Sequence, residues 1–294
     1  MCDSTKNEMI MKKSIKYILA LAFAAMMAFV SCEDHEVLYQ DITTSYDESE
    51  YAFIQIFYYV PVTATSSNYV YKIGINDIEY VNNGSSMIAT YNAAPSGAVG
   101  RYYTVEPGTV NVKLYLSSDM ILTYDADVTL EAGYWNVCVY DFDQDPIVFD
   151  VGYPFEKPVT TDTDSTSHVR FINFLYEDDD NYYEKPILYQ YRYTDSDGNY
   201  VDWQDVGDYV GFGETTGWCD LRVNKSVYNS SGYRTIYFRI LDENGDVLQK
   251  WNSSGVLTNY SDYWTHYIGR WSNHILAGKR VGYPVASERN FYTL

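Results

Sequence analysis

Short runs of β-branched and aromatic residues, divided at close intervals by turn signals, constrain this chain more than any other feature. Residues 52–60, 69–75, 109–116 and 134–142 are rich in Val, Ile, Tyr and Phe. Asn83-Gly84, Pro95-Ser96-Gly97 and Pro107-Gly108 separate them, as turn residues separate strands. No window after Cys32 holds a sustained helical stripe. Such side chains favour a pleated, half-buried surface. The chain carries 33 tyrosines and is 46% hydrophobic, enough to build a sizeable core and to exclude bulk disorder. The pattern predicts an all-β chain of sandwich type.

With 294 residues, length suggests about two such domains. The first is expected over 51–155 and the second over 168–294, joined by a linker at 156–167, where Pro158 and a Thr/Asp/Ser run break the pattern. Strands resume at His168-Val169-Arg170-Phe171-Ile172-Asn173-Phe174, and Asp197-Gly198-Asn199, Ser231-Gly232 and Asn244-Gly245 read as hairpin turns. The halves echo one another. Phe53–Phe57 matches Phe171–Phe174, Val110 and its neighbours match Thr235–Phe238, Met120–Leu122 matches Asp246–Leu248, and Tyr134-Trp135 matches Tyr263-Trp264. The growing offsets are those of a duplication whose second copy has gained loop insertions.

The N-terminus reads as an address. Lys12, Lys13 and Lys16 precede an apolar run from Ile18 to Val30, too short and wrongly flanked for a membrane span. Met11 is the expected start of translation and 1–31 the signal peptide. The run ends Phe29-Val30-Ser31-Cys32, which resembles the bacterial lipobox. That resemblance implies cleavage before Cys32, lipid on its thiol and a membrane partner through that anchor, with several acyl chains needed for stable attachment. Residues 32–50 read as a lipidated tether. Glu33, Asp34 and Glu36 resemble the acidic patch that directs lipoproteins of Bacteroidota to the outer face, which implies an outer-membrane location facing the exterior. Of the remaining cysteines, Cys138 and Cys219 lie in different domains and are expected as two buried thiols. No zinc spacing is present.

The formal net charge is −20, and after residue 31 the chain holds 16 bases against 38 acids. Such a body is repelled by phosphate backbones, so no nucleic-acid partner is expected.

The opening strand His168–Asn173, the run Val105-Glu106-Pro107-Gly108-Thr109-Val110-Asn111-Val112 and the run Leu130-Glu131-Ala132-Gly133-Tyr134-Trp135 together resemble the Ig-like domain-of-unknown-function modules of Bacteroidota surface lipoproteins. Those modules combine a valine-arginine-phenylalanine-asparagine strand with a glycine-threonine strand and an alanine-glycine-aromatic strand. The second copy departs from the pattern at Ser230-Ser231-Gly232 and Leu257-Thr258-Asn259. The resemblance implies two tandem immunoglobulin-like β-sandwich domains and a surface location, and it implies no catalytic residues.

Candidate sites are few. Asp195, Asp197 and Asn199 resemble half of a calcium loop, yet Asp-Gly is also an ordinary hairpin turn, and the full set of oxygen ligands is missing. Asp164-Ser165-Thr166 resembles the tripeptide that Bacteroidota glycosylate, which makes Ser165 an expected O-glycan site. No nucleophile elbow, H-E-x-x-H, Walker loop or dinucleotide fingerprint occurs, and the three body histidines, His168, His266 and His274, form no motif. Neither a catalytic residue nor a cofactor is expected. A hydrolase would need a cleft with converging carboxylates. Loop aromatics are the remaining lead, above all Tyr182, Tyr183, Trp203 and Trp218. Their rings stack on sugars or anchor protein partners, or else pack on outer sheet faces. The expectation is a non-catalytic surface module that binds or adheres to polysaccharide or protein. The alternative is a structural or pilus-like envelope component acting by strand addition.

Overall fold

A computed structural model describes residues 47–294 apart from 83, 90–101, 153–154, 156–163, 253, 282–284 and 293–294, with backbone alone for 164–166 and 285–292. Cys32, the signal segment and most of the expected tether lie outside the described residues. Among those described, no helix is long and apolar enough to cross a membrane.

The chain is all-β. The first half holds β1 (Ala52–Tyr58), β2 (Val70–Ile75), β3 (Ile78–Val81), β4 (Tyr103–Val105), β5 (Gly108–Leu116), β6 (Ile121–Leu130), β7 (Gly133–Val139) and β8 (Ile147–Asp150). The second holds β9 (Asp164–Tyr176), β10 (Leu188–Arg192), β11 (Gln204–Asp205), β12 (Thr215–Asn224), β13 (Tyr233–Leu241), β14 (Gln249–Trp251), β15 (Leu257–Asn259), β16 (Ser261–Tyr267), β17 (Trp271–Lys279) and β18 (Val285–Tyr292). Strand β5 shows why these runs extend. Val110, Val112, Leu114 and Leu116 are buried, and the residues between them face outward, so the period of two places all four on one core face.

Each half is a sandwich of two four-stranded sheets. Their orders are β4-β1-β7-β8 over β3-β2-β5-β6, then β12-β9-β17-β18 over β11-β10-β13-β16. Both halves place their first strand parallel to the same late strand, β1 beside β7 and β9 beside β17. The second half therefore repeats the first strand for strand, with the hairpin β14–β15 inserted. Leu248 N–H donates to Ile240 O and Tyr260 N–H to Leu248 O, and Ser261 then resumes opposite Arg239. The insertion thus interrupts the counterpart of β6. In an antibody constant domain the first strand stands at a sheet edge; here β1 and β9 lie inside their sheets.

Two of the expected echoes fail in register. Tyr134-Trp135 lies in β7, whereas Tyr263-Trp264 lies in β16, the counterpart of β6. Ile54 points into the first core, but Ile172, its supposed match, points out of the second. The reason is burial on both faces of β1 and β9, which removes the alternation that marks inside from outside.

That double burial comes from a third core between the halves. Phe57, Tyr59 and Cys138 on the outer face of β1 and β7 and their extensions meet Ile172, Phe174, Ile275 and Ala277 on β9 and β17. Arg170, 3% exposed, ties the same junction. Its guanidinium donates to Asn273 Oδ1 at 2.9 Å, to Asn136 Oδ1 at 2.7 Å and to the Asp150 carbonyl. The described body is a stack of four sheets rather than two beads. Strand β9 pairs from Asp164, with Ser165 opposite Val223, so the strand opens inside the segment expected as a linker, and the Ser165 backbone is part of a sheet. Both cysteines among the described residues, Cys138 and Cys219, are free. Cys138 is buried, its thiol pushed up by desolvation, whereas Cys219 is only half-buried.

Candidate ligand-binding face

The four aromatics singled out in the sequence do not converge. Trp218 belongs to the junction: its indole N–H donates to the Val151 carbonyl at 2.9 Å, its ring meets Trp271 edge-on at 5.0 Å, and the Arg170 guanidinium lies over it at 4.9 Å. Tyr182 stacks on Phe212 at 4.2 Å and meets Tyr176 edge-on at 5.3 Å, at the rim of the same junction. Tyr183 lines a cleft of about 520 Å³ with Asp242, Asp246, Gln249, Asn259 and Arg280. Burial pushes its phenol up to about 12. The one cation of that cleft, Arg280, is already gripped by both oxygens of Glu177, at 2.5 and 2.6 Å.

Trp203 is different. It sits on the outer face of β11-β10-β13-β16, and that face is where the chain gathers rings and cations. The inner residues Tyr189, Tyr191, Ile236, Phe238, Ile240 and Trp264 fill the second core. Alternation then turns Gln190, Arg192, Tyr237, Arg239 and Tyr263 outward. Register makes them cross-strand neighbours, with Arg192 opposite Tyr237, Gln190 opposite Arg239 and Tyr237 opposite Tyr263. The guanidiniums of Arg192 and Arg239 lie over the Trp203 indole at 4.4 and 4.5 Å, and Arg192 also lies over Tyr200 at 4.0 Å. Tyr200 meets Tyr237 edge-on at 5.3 Å, and their hydroxyls interact, which raises the Tyr237 phenol. Tyr200 is 52% and Tyr263 63% exposed. Arg239 Nε donates to Gln190 Oε1 at 2.7 Å, and Gln190 Nε2 donates to Asp205 Oδ1 at 2.5 Å.

The duplication supplies an internal control. The corresponding outer face, on β3-β2-β5-β6, is dominated by polar groups that pair with one another across the strands. Lys72 pairs with Glu79 at 2.8 Å, Lys113 faces Asp125 at 4.0 Å, and Asn111 Nδ2 donates to Asp125 and Asp127, each at 2.8 Å. Among the described residues, the second sandwich alone carries a wide aromatic face whose arginines form no ion pair. Arg192, Arg239, Tyr237 and Tyr263 escaped notice in the sequence because they lie in strands rather than loops. The alternation in Tyr189-Gln190-Tyr191-Arg192 and Ile236-Tyr237-Phe238-Arg239 is the signal that would have found them.

The acidic loops have local occupations. Asp195 Oδ1 accepts the N–H groups of Asp197 and Asn199 at 2.9 and 2.8 Å, so this carboxylate closes its own hairpin, as short Asx side chains do. Among the described residues, no three His, Cys, Asp or Glu side chains gather in a geometry that holds a metal. The histidines are packed parts of the fold. His266 contacts Ser167 Oγ at 2.9 Å, His274 Nδ1 contacts the Tyr189 hydroxyl at 2.9 Å, and His168 stacks on Trp271 at 3.9 Å while pairing with Asp220.

No family model and no curated protein matches this chain. Four chains among solved structures match it. One is a leucine-rich repeat protein from Bacteroides thetaiotaomicron, 9% identical with a TM-score of 0.21. The alignment covers 80% of this chain and 27% of that one, and a likeness of this grade carries no argument.

Proposed function

We propose that this protein is a non-catalytic surface lipoprotein that binds polysaccharide on the outer face of its last sheet. The supporting observation is the contrast between the two outer faces: rings and unpaired guanidiniums on β11-β10-β13-β16, ion pairs on β3-β2-β5-β6. Exposed phenol rings such as Tyr200 and Tyr263 offer flat surfaces to the apolar faces of sugars, while Gln190, Asp205 and the arginines exchange hydrogen bonds with hydroxyls. Trp203 plays a supporting part, since its ring is occupied by the two guanidiniums. Affinity electrophoresis through gels containing soluble polysaccharides tests this reading. The expected result is retardation by at least one polysaccharide, weakened several-fold in Tyr263→Ala and unchanged in Tyr115→Ala on the opposite outer face. Unaltered mobility in every gel would remove the glycan reading.

The address belongs to the same proposal. Basic residues, a short apolar run and a small residue before Cys32 support lipidation there and display on the outer membrane. Labelled palmitate should enter the protein and be lost in Cys32→Ala. A second reading, strand addition, is favoured by the edge strand β3, where Ile78 and Val81 are 57% and 54% exposed. An open, apolar edge is a template for another strand, and concentration-dependent oligomers abolished by Val81→Lys would support it.

A further inference from the structure

We infer that Arg192 and Arg239 form an anion site for the carboxylate of a uronic-acid residue within a polysaccharide. The inference deepens the glycan-binding reading above and rests on it. Its first support is uncompensated charge. Neither arginine takes part in an ion pair among the described residues. The Arg192 side chain gives no hydrogen bond to any described residue, and its Nε is covered and without an acceptor. Arg239 spends only its Nε, on Gln190, which leaves both terminal nitrogens available. Four other surface cations are paired with carboxylates: Arg280 with Glu177, Lys72 with Glu79, Lys279 with Asp179 and Arg222 with Asp220.

The second support is crowding of like charge. Trp203 holds the two guanidiniums beside one ring, and burial together with the Arg192 charge lowers the pKa of Arg239. The carboxylate acting on Arg239 is Asp205, which is itself bonded to Gln190. A chain whose acids outnumber its bases two to one has carboxylates to spare, yet it leaves this pair of cations uncompensated. A bound anion relieves that repulsion.

The third support is shape. A planar guanidinium matches a planar carboxylate through two parallel hydrogen bonds, and Tyr200 stands next to Arg192 with half its surface open. A uronate supplies both partners in one residue, an apolar ring face for the phenol and a carboxylate for the fork. A sulfated sugar offers a tetrahedral anion instead, and an acidic polypeptide offers carboxylates without the ring.

Affinity electrophoresis of the purified protein with five probes decides the matter: polygalacturonate, its methyl ester, a neutral galactan, dextran sulfate and polyglutamate. The expected result is strongest retardation by polygalacturonate, lost on esterification and weakened between about 50 mM and about 500 mM NaCl. Arg192→Gln and Arg239→Gln should each reduce affinity about tenfold, as loss of a charge-assisted bond does, with melting temperatures unchanged. Lys113→Gln on the other face should have no effect. Equal binding to polygalacturonate and its ester, or to the galactan, overturns the uronate site and leaves the glycan reading standing. Preference for dextran sulfate also overturns it. Binding to polyglutamate as strong as to polygalacturonate overturns both readings in favour of a protein partner, and no retardation by any of the five probes overturns the uronate site alone, the glycan reading being decided by the wider set of gels above.

Discussion

Burial decides what single residues of this chain do, and His266 is the clearest case. It is 2% exposed, and desolvation, aided by the charge of Arg270, drives its imidazole from the ordinary 6.5 down to about 3. Below pH 6.5 the unfolded chain takes a proton on this ring and the folded chain does not. The contribution to stability is therefore complete above pH 6.5 and is lost progressively as pH falls toward about 3. Between pH 8 and pH 5 this amounts to about 2 kcal/mol. In urea denaturation, the stability difference between the native protein and His266→Asn should shrink by that amount at pH 5. A difference that does not change with pH would contradict a neutral buried imidazole. Trp203 teaches the complementary lesson. Its sequence context, Asp202-Trp203-Gln204, marks a polar loop with one large ring, which is legible as a ligand-contacting position. The two arginines that occupy the ring lie 11 residues before it, in β10, and 36 after it, in β13. Only cross-strand register brings them there, and register across sheets is not written in local sequence.

Hairpins are the elements whose chemistry could be read directly. Asp195, Asn229, Asp242 and Asn252 each begin a five-residue loop, and each side-chain oxygen accepts the N–H groups two and four residues on. The fourth position of every loop is a glycine at positive φ. All four loops carry an Asp/Asn/Ser-Gly pair, and three of them are expected above as hairpin turns. The fourth, after Asn252, belongs to the inserted hairpin β14–β15. At Gly245, φ is +82° and nothing lies within 4 Å of an added Cβ, so substitution tests backbone conformation alone. Gly245→Ala should destabilise the protein by about 1–2 kcal/mol, measurable by denaturant titration. An unchanged midpoint would mean that the loop adopts another conformation at no cost. Strands buried on both faces were legible as strands but not in register. The run from Phe53 to Phe57 is apolar on both sides, except at Gln55, so nothing local says which residues face which core.

At the scale of the whole molecule, the third core changes how the halves behave. Phe174 stacks on Tyr59 of the first sandwich at 5.3 Å and lies within 6.3 Å of Tyr140, Phe149 and Phe212, ring centre to ring centre. The described body should therefore melt in one transition, with calorimetric and van't Hoff enthalpies in agreement. Phe174→Ala should cost about 3–5 kcal/mol; two resolved melts in the native protein would contradict a shared core. Two sandwiches were evident from composition and turn spacing, but their fusion was not, because it depends on aromatics that read as ordinary core residues of either half. Fusion also leaves the stack with two outer sheet faces, and these differ in chemistry. Hydroxyl-radical footprinting with saturating polygalacturonate asks most directly whether the aromatic one receives the ligand. Protection should concentrate on Tyr200, Tyr237 and Tyr263, with Tyr115 and Val81 oxidised as in the free protein. Protection of Tyr115 and Val81 with Tyr263 left open, or no protection at all, would contradict it.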